Sequence, residues 1–417
     1  MKTTRHHLLR SSLGWGMMAG LFGNKLNLAN AAQTGTGAHP ETPRQDSSPG
    51  AQGNADWHAE LTRRIAALDA RGGGTLELGD GEYEIAKTLR LPRSVSLVMT
   101  PNAVIRAKAN FQGDAVIVKG GGNYSKAAAT SGWIRGGVID GNRQPLTGLR
   151  VEDLHRLEIA DLSVLNALYK GVHLLKGGNE TNLTRVRCDV DMQTRYAPDS
   201  IGVHVERTDC KFAMLHIIGY ETGVRSDAGS NWFSQVHVWN WVPTQGPMKY
   251  CFHCNGTYNT FSQCYADSPS VAGFYMTKPD QSVMQCRVFY SRWAEDNTGV
   301  GFLITPDGTR GSYLGNALFA AKDHRLAKAF AGDLEGACIL GTSGRNVVAG
   351  MENRIPSGSS PEFPALNLAG GAFRLTPQSK PPLPEHGELG EVRWVDDGAA
   401  SALWVKTARG WKKSELV

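Results

Sequence analysis

Alternation of apolar and polar positions dominates the middle of the chain. In "TLELGDGEYEIAKTLRLPRSVSLVM" (75–99) it reads as strands broken by the "GDG" turn. Just ahead, "DWHAELTRRIAALDARGGG" carries Leu61, Ile65 and Leu68 at helical spacing, and the glycine triplet ends that helix. Beyond residue 145 a short unit recurs: glycine, apolar, variable, apolar, polar. It appears as "GLRVED" at 148, "GVHLLK" at 171, "GVHVER" at 202, "GVRSDA" at 223, "GFYMTK" at 273, "GFLITP" at 301 and "GACILG" at 336. "YCFHCN" at 250 fills the gap with Tyr in place of Gly. A second strand recurs between these units: "NWFSQVHVWN" (231), "NTFSQCYADS" (259) and "QSVMQCRVFY" (281) align without gaps.

Short strands with Gly/Asn turns, repeating every two to three dozen residues, predict a solenoid whose coils share one core. Val203, Val205, Phe274 and Met276 then point inward, and the residues between them form outward columns. One predicted column is Arg150, His173, His204, Arg225, Phe252 and Tyr275; another is His216, His237, Tyr265 and Arg287. The helix before the first coil would cover its open edge.

Outside the repeat the pattern changes. Residues 1–31 have a basic start, a short apolar stretch and Ala-Asn-Ala at 29–31, which predicts an export signal. "TRHHLLR" resembles a twin-arginine signal with His6 in place of the second arginine. Secretion or a periplasmic location is expected, with no membrane insertion, since the apolar stretch falls short of the roughly 20 residues a span needs. Residues 32–54 are a Pro/Gly/Ser-rich linker, 55–375 the solenoid, and 376–417 a Pro-rich linker with a small β appendage. The formal charge of +5 is misleading, because the first 31 residues hold four of the 44 basic residues and no acid. Without them 40 basic residues face 39 acidic ones, and no nucleic-acid footprint remains. Cys251 and Cys254 in "CFHC" have half a zinc-site spacing but no second pair, so buried thiols are expected and no metal is assigned.

"GGGTLELGDGEYEI", "GGVIDGNRQ" (136–144) and the coil repeat resemble the pectate-lyase-like right-handed parallel β-helices. That superfamily includes pectate lyases, polygalacturonases and the tailspike depolymerases of bacteriophages. The segment "FSQVHVWNW…YNTFSQCYADSP" is most similar to the tailspike and bacterial exopolysaccharide-degrading branch. The resemblance implies an all-β fold, a polysaccharide substrate and a monomer or homotrimer. The polygalacturonase motifs are absent, so it assigns no role to any residue.

Candidate chemistry lies in the variable segments before each "GV" strand, which stacking would align along one edge. Glycoside hydrolysis with two carboxylates is the leading expectation. Asp199 and Glu221, in loops of adjacent coils, are the first candidate pair; Asp267, Glu295 and Asp296 are further candidates. Tyr196, Tyr220, Trp239 and Trp293 would offer flat faces to sugar rings, and Lys170, Arg195 and Arg292 would bind hydroxyls or carboxylates. His204, Arg225 and His237 are outward candidates for substrate binding. Each has a plain alternative: Pro198-Asp199 is ordinary turn chemistry, and an outward histidine is commonly just exposed. A lyase is the second expectation, with His204, Lys170 or Arg225 as base; no cofactor is expected otherwise, and Ca²⁺ only for a lyase. Asp189 and Asp191 share one face of a strand and could bind Ca²⁺ or form a solvated acidic patch. A non-catalytic carbohydrate-binding or surface-assembly protein is the third.

Overall fold

A computed structural model describes residues 56–120, 132–290 and 299–320. It also describes 326–334, 337–340, 343–345, 347–349, 392–396, 401–407 and 410–415. The strands wind into a right-handed parallel β-helix. One column is an eleven-stranded parallel sheet running from Gly74–Leu78 to Cys338–Leu340. The other two columns merge into a twenty-stranded sheet, because Gly81–Leu91 and Ala103–Lys119 run unbroken through both. Val392–Asp396, Ser401–Thr407 and Gly410–Glu415 form a separate antiparallel sheet, the expected C-terminal appendage. Among the described residues no helix is long and apolar enough to cross a membrane.

Alternation places the core as the sequence predicts, with Val203, Val205, Phe274 and Met276 fully enclosed. Like residues stack in neighbouring coils. Phe252, Phe274, Phe302 and Phe330 lie 4.6, 5.1 and 4.7 Å apart in one ladder. Buried asparagines are paired between coils. Asn231 Oδ1 accepts from the Cys210 N–H at 3.0 Å, and Asn259 Oδ1 accepts from the Asn231 N–H at 3.0 Å. Two buried cations have carbonyls as partners. Lys119 donates to Pro92, Arg93 and Val95, and Arg207 to Val151, Leu154 and Leu175.

Two details of the repeat differ from expectation. Register pairs Phe252 with Val224 and His253 with Arg225, so Phe252 is core and His253 takes the outward place. The Tyr-for-Gly alignment is one residue off, since Cys251 holds the glycine position, and a slip of one inverts every side chain. "GACILG" belongs to the other sheet, where Cys338–Leu340 pairs with Ser312–Leu314.

Candidate active site

Parallel register sets His173 beside Arg150 and His204, then Arg225, His253, Tyr275 and Leu303, one per coil. A second polar row, Glu152, Glu206, Asp227, Asn255 and Thr277, lies two residues further along, interrupted by Leu175 after His173. Arg150 pairs with Glu152 at 2.8 Å and also with Asp114. Asn255 Nδ2 donates to Asp227 at 3.2 Å, and Thr277 Oγ1 to Asn255 at 2.9 Å. The two-residue step is the sheet's own periodicity, so both rows point the same way.

At the centre of these rows lies a compact cluster. Lys170, His173 and His204 are only 7%, 8% and 6% exposed, although they lie on the outer face. The two imidazoles stack, with centroids 4.5 Å apart and planes within 6°. Lys170 Nζ lies 3.0 Å from His204 Nδ1 and 3.5 Å from His173 Nδ1. On the other side of the stack, His173 Nε2 meets Glu206 at 2.9 Å and His204 Nε2 meets Asp227 at 2.8 Å. Arg225 Nε donates to both oxygens of Asp227, at 2.9 and 3.0 Å. This sandwich assigns the tautomers. An ammonium can only donate, so each Nδ1 accepts and each proton sits on Nε2, donated to a carboxylate.

Charge follows from the same contacts. Burial pushes the Lys170 ammonium below its usual value, opposed by Glu206 and Asp227. Burial also takes His173 down to about 4, so the ring is neutral near pH 7. Burial disfavours ionised Glu206, but the His173 hydrogen bond and the neighbouring cations outweigh it and hold its carboxyl low. Asp227 is likewise desolvated, yet His204 and Arg225 hold it well below the carboxylate range. The cluster therefore pairs a depressed lysine with the neutral His173 imidazole and two ionised carboxylates.

Donor atoms of His173, His204 and Glu206 lie within 4.8 Å of one another. A shared transition ion would need both ring nitrogens at about 2.0–2.1 Å. Parallel rings 4.5 Å apart send their lone pairs side by side rather than to one point, and Lys170 holds the Nδ1 atoms as acceptors. Asp189 and Asp191 are each engaged by an arginine, Arg187 and Arg143.

Lys170, His204 and Arg225 thus come together in this cluster, and the other sequence candidates do not join it. Asp199 is exposed in a turn at φ 56°, and Glu221 binds its backbone N–H at 3.3 Å. Lys249 pairs with Glu221 at 2.7 Å, so Glu221 anchors a turn. Asp267 lies on the neighbouring column, raised by burial and accepting from Ser268 and Tyr265. Tyr220 is fully buried, and Tyr196 is buried with its hydroxyl on the Pro247 carbonyl at 2.5 Å, so neither presents an open ring face. Trp239 Nε1 donates to His216 at 3.3 Å, and His237 stacks between His216 and Tyr265. Arg195 is exposed. Arg292, Trp293, Glu295 and Asp296 lie outside the described residues. His204 is buried rather than an exposed surface histidine. Cys251 and Cys254 are core thiols, and Cys188, Cys210, Cys264 and Cys286 are likewise buried and unpaired. Sequence reasoning missed His173, Glu206, Asp227 and His253 as site residues; the signal was the outward column through His173, the outward steps from His204 and Arg225, and the correct register at Cys251.

No family model matches the sequence, and no curated protein matches it. Solved structures do. The A-module of the Azotobacter vinelandii mannuronan C-5 epimerase superimposes with a TM-score of 0.51 at 13% identity, covering 71% of this chain and 93% of that one. This chain is a right-handed parallel β-helix protein. The β-helix also matches the tailspike of Escherichia coli bacteriophage HK620, solved with a pentasaccharide, at 0.51 and 11%, covering 70% and 63%. DFA-IIIase from Arthrobacter chlorophenolicus A6, without its lid, matches it at 0.53 and 12%, covering 73% and 89%. At these identities the likeness carries the fold, and function has to be argued from the site.

Proposed function

We propose that the protein is an exported polysaccharide-processing enzyme that cleaves an acidic glycan by β-elimination at the Lys170 cluster. The observation that carries this reading is Lys170 Nζ, buried and held against the Nδ1 atoms of His173 and His204. Burial disfavours the charged form of this lysine, which favours its giving up a proton and acting as a base. In the proposed step the free amine takes the proton beside the uronate carboxyl. The carbon's electron pair forms the new double bond, and the glycosidic C–O bond breaks. The leaving oxygen is protonated from the Lys170–imidazole network. Arg225 faces the sugar carboxylate and offsets the charge that develops there. Tyr169, 39% exposed and with its ring 5.1 Å from Lys170 Nζ, is displaced when the sugar enters. The mannuronan epimerase, named for a uronate polymer, and the pentasaccharide-bound tailspike support a polysaccharide as substrate, and the leader-like N-terminus supports export.

Hydrolysis by two carboxylates fits less well. It requires one carboxyl to stay protonated, and Glu206 and Asp227 are both held ionised. The test is incubation with polymannuronate and polygalacturonate, following ultraviolet absorbance of unsaturated ends. Absorbance should rise with the parent protein, and Lys170→Met should slow it by about 10²–10⁴-fold. New reducing ends without absorbance would show hydrolysis and overturn the elimination reading.

A further inference from the structure

The outward row does not end at the Lys170 cluster. Two coils past His204 it reaches His253, and one coil further Tyr275. Tyr250, at the start of the His253 strand, lays its ring against Tyr275 with centroids 4.6 Å apart and planes within 15°. His253 closes the group, 5.5 Å from Tyr250 and 4.8 Å from Tyr275. All three side chains are half-buried, so ring surface remains open on the outer face. The next coil makes room, since Tyr250 pairs in register with Ala272. No step of the elimination chemistry uses these rings.

We infer that Tyr250, His253 and Tyr275 form a distal subsite that binds one pyranose ring of the same polysaccharide chain that reaches Lys170. The inference rests on the proposed reading of the Lys170 cluster for its substrate. Three features support it. The platform lies in one register row with His204, so a chain laid along the solenoid axis meets both. Coils stack at about 4.8 Å, which puts Tyr275 roughly 14 Å from His204, a span of a few sugar units. The chemistry also fits a sugar ring, since aromatic faces take its C–H surface and phenol groups its hydroxyls. Burial, aided by Arg225, takes His253 down to about 4, so the platform is uncharged near pH 7 and selects by shape. Between platform and centre lies Arg225, the one cation in the row over that interval, placed to meet a carboxylate.

The test is calorimetric binding of oligomannuronates and oligogalacturonates of increasing length to Lys170→Met and to Lys170→Met combined with Tyr275→Leu. Leucine is a residue the row already accommodates, at Leu303 one coil on. An unchanged thermal midpoint confirms that the fold is kept. Affinity should rise with length until the chain spans the platform. Tyr275→Leu should then weaken long oligomers by about tenfold and leave the shortest unchanged. Equal weakening at all lengths, or none at any length, overturns the platform. Binding of no oligomer overturns both platform and uronate specificity. Turnover by the Lys170→Met variant at the parent rate overturns the elimination centre alone.

Discussion

His173, His237 and His253 are each pushed down to about 4, below the ordinary 6.5, and burial is the first cause in all three. Each folded ring resists a proton that the unfolded chain accepts. Between pH 6.5 and 4 the unfolded state therefore binds more protons, and stability falls as pH falls. Above 6.5 their contribution is complete. The carboxylates Glu206 and Asp227, held low, add their own loss only at the acid end of this window and below it. The expected outcome is a thermal midpoint that declines steadily as pH falls from 6.5 to 4. His237→Phe should shallow that decline, because phenylalanine keeps the stack between His216 and Tyr265 without the proton. A midpoint independent of pH over that window would contradict the burial argument.

One element-scale rule explains both the success and the slip of the sequence pattern. The repeat opens on glycine because a side chain there strikes an inward residue of the next coil. A Cβ on Gly202 would lie 2.2 Å from Ile217, on Gly223 2.1 Å from Val238, and on Gly301 2.1 Å from Leu318. Those residues occupy one ladder, which continues from Val238 to Ala266 and Val288. Ala266 is the smallest member, and it comes one coil after Cys251, which stands where the adjacent coils carry Gly223 and Gly273. Cysteine fits because alanine yields the space, a correlation legible only once register is known. Ala266→Val should then overpack the site and destabilise by about 1–3 kcal/mol. Cys251→Gly in that background should restore most of the loss. Urea unfolding of the four proteins gives the coupling, expected at about 0.5–3 kcal/mol; simple additivity would refute the pairing.

At the scale of the whole molecule the sequence exposed the fold better than the site. Coil periodicity and outward columns follow from strand parity, a local property, so His204 and Arg225 could be placed on one surface. Lys170, His173, Glu206 and Asp227 become a cluster only through contacts between coils 20 to 35 residues apart in the chain, which single-sequence spacing leaves undetermined. The N-terminal end repeats this logic. Its first coil has free strand edges, and the helix His58–Ala70 with its lead-in covers them through identifiable bonds. Trp57 N–H donates to Glu84 O at 2.9 Å, Arg64 to Glu77 O at 2.9 Å, and Asp56 accepts from Ala86 N–H at 3.2 Å. Leu61 and Ile65 seal the core beneath. Coils in a solenoid are stable by their neighbours, so an uncovered end is both weak and a template for another chain. Leu61→Asp places a carboxylate in that seal and should release the helix. The expected result is a lower thermal midpoint and growth of oligomers in light scattering, with hydrogen exchange accelerated first in Gly74–Leu78 and Gly81–Leu91. A variant that stays monodisperse, with exchange in those strands unchanged, would show that the helix is not what closes the solenoid.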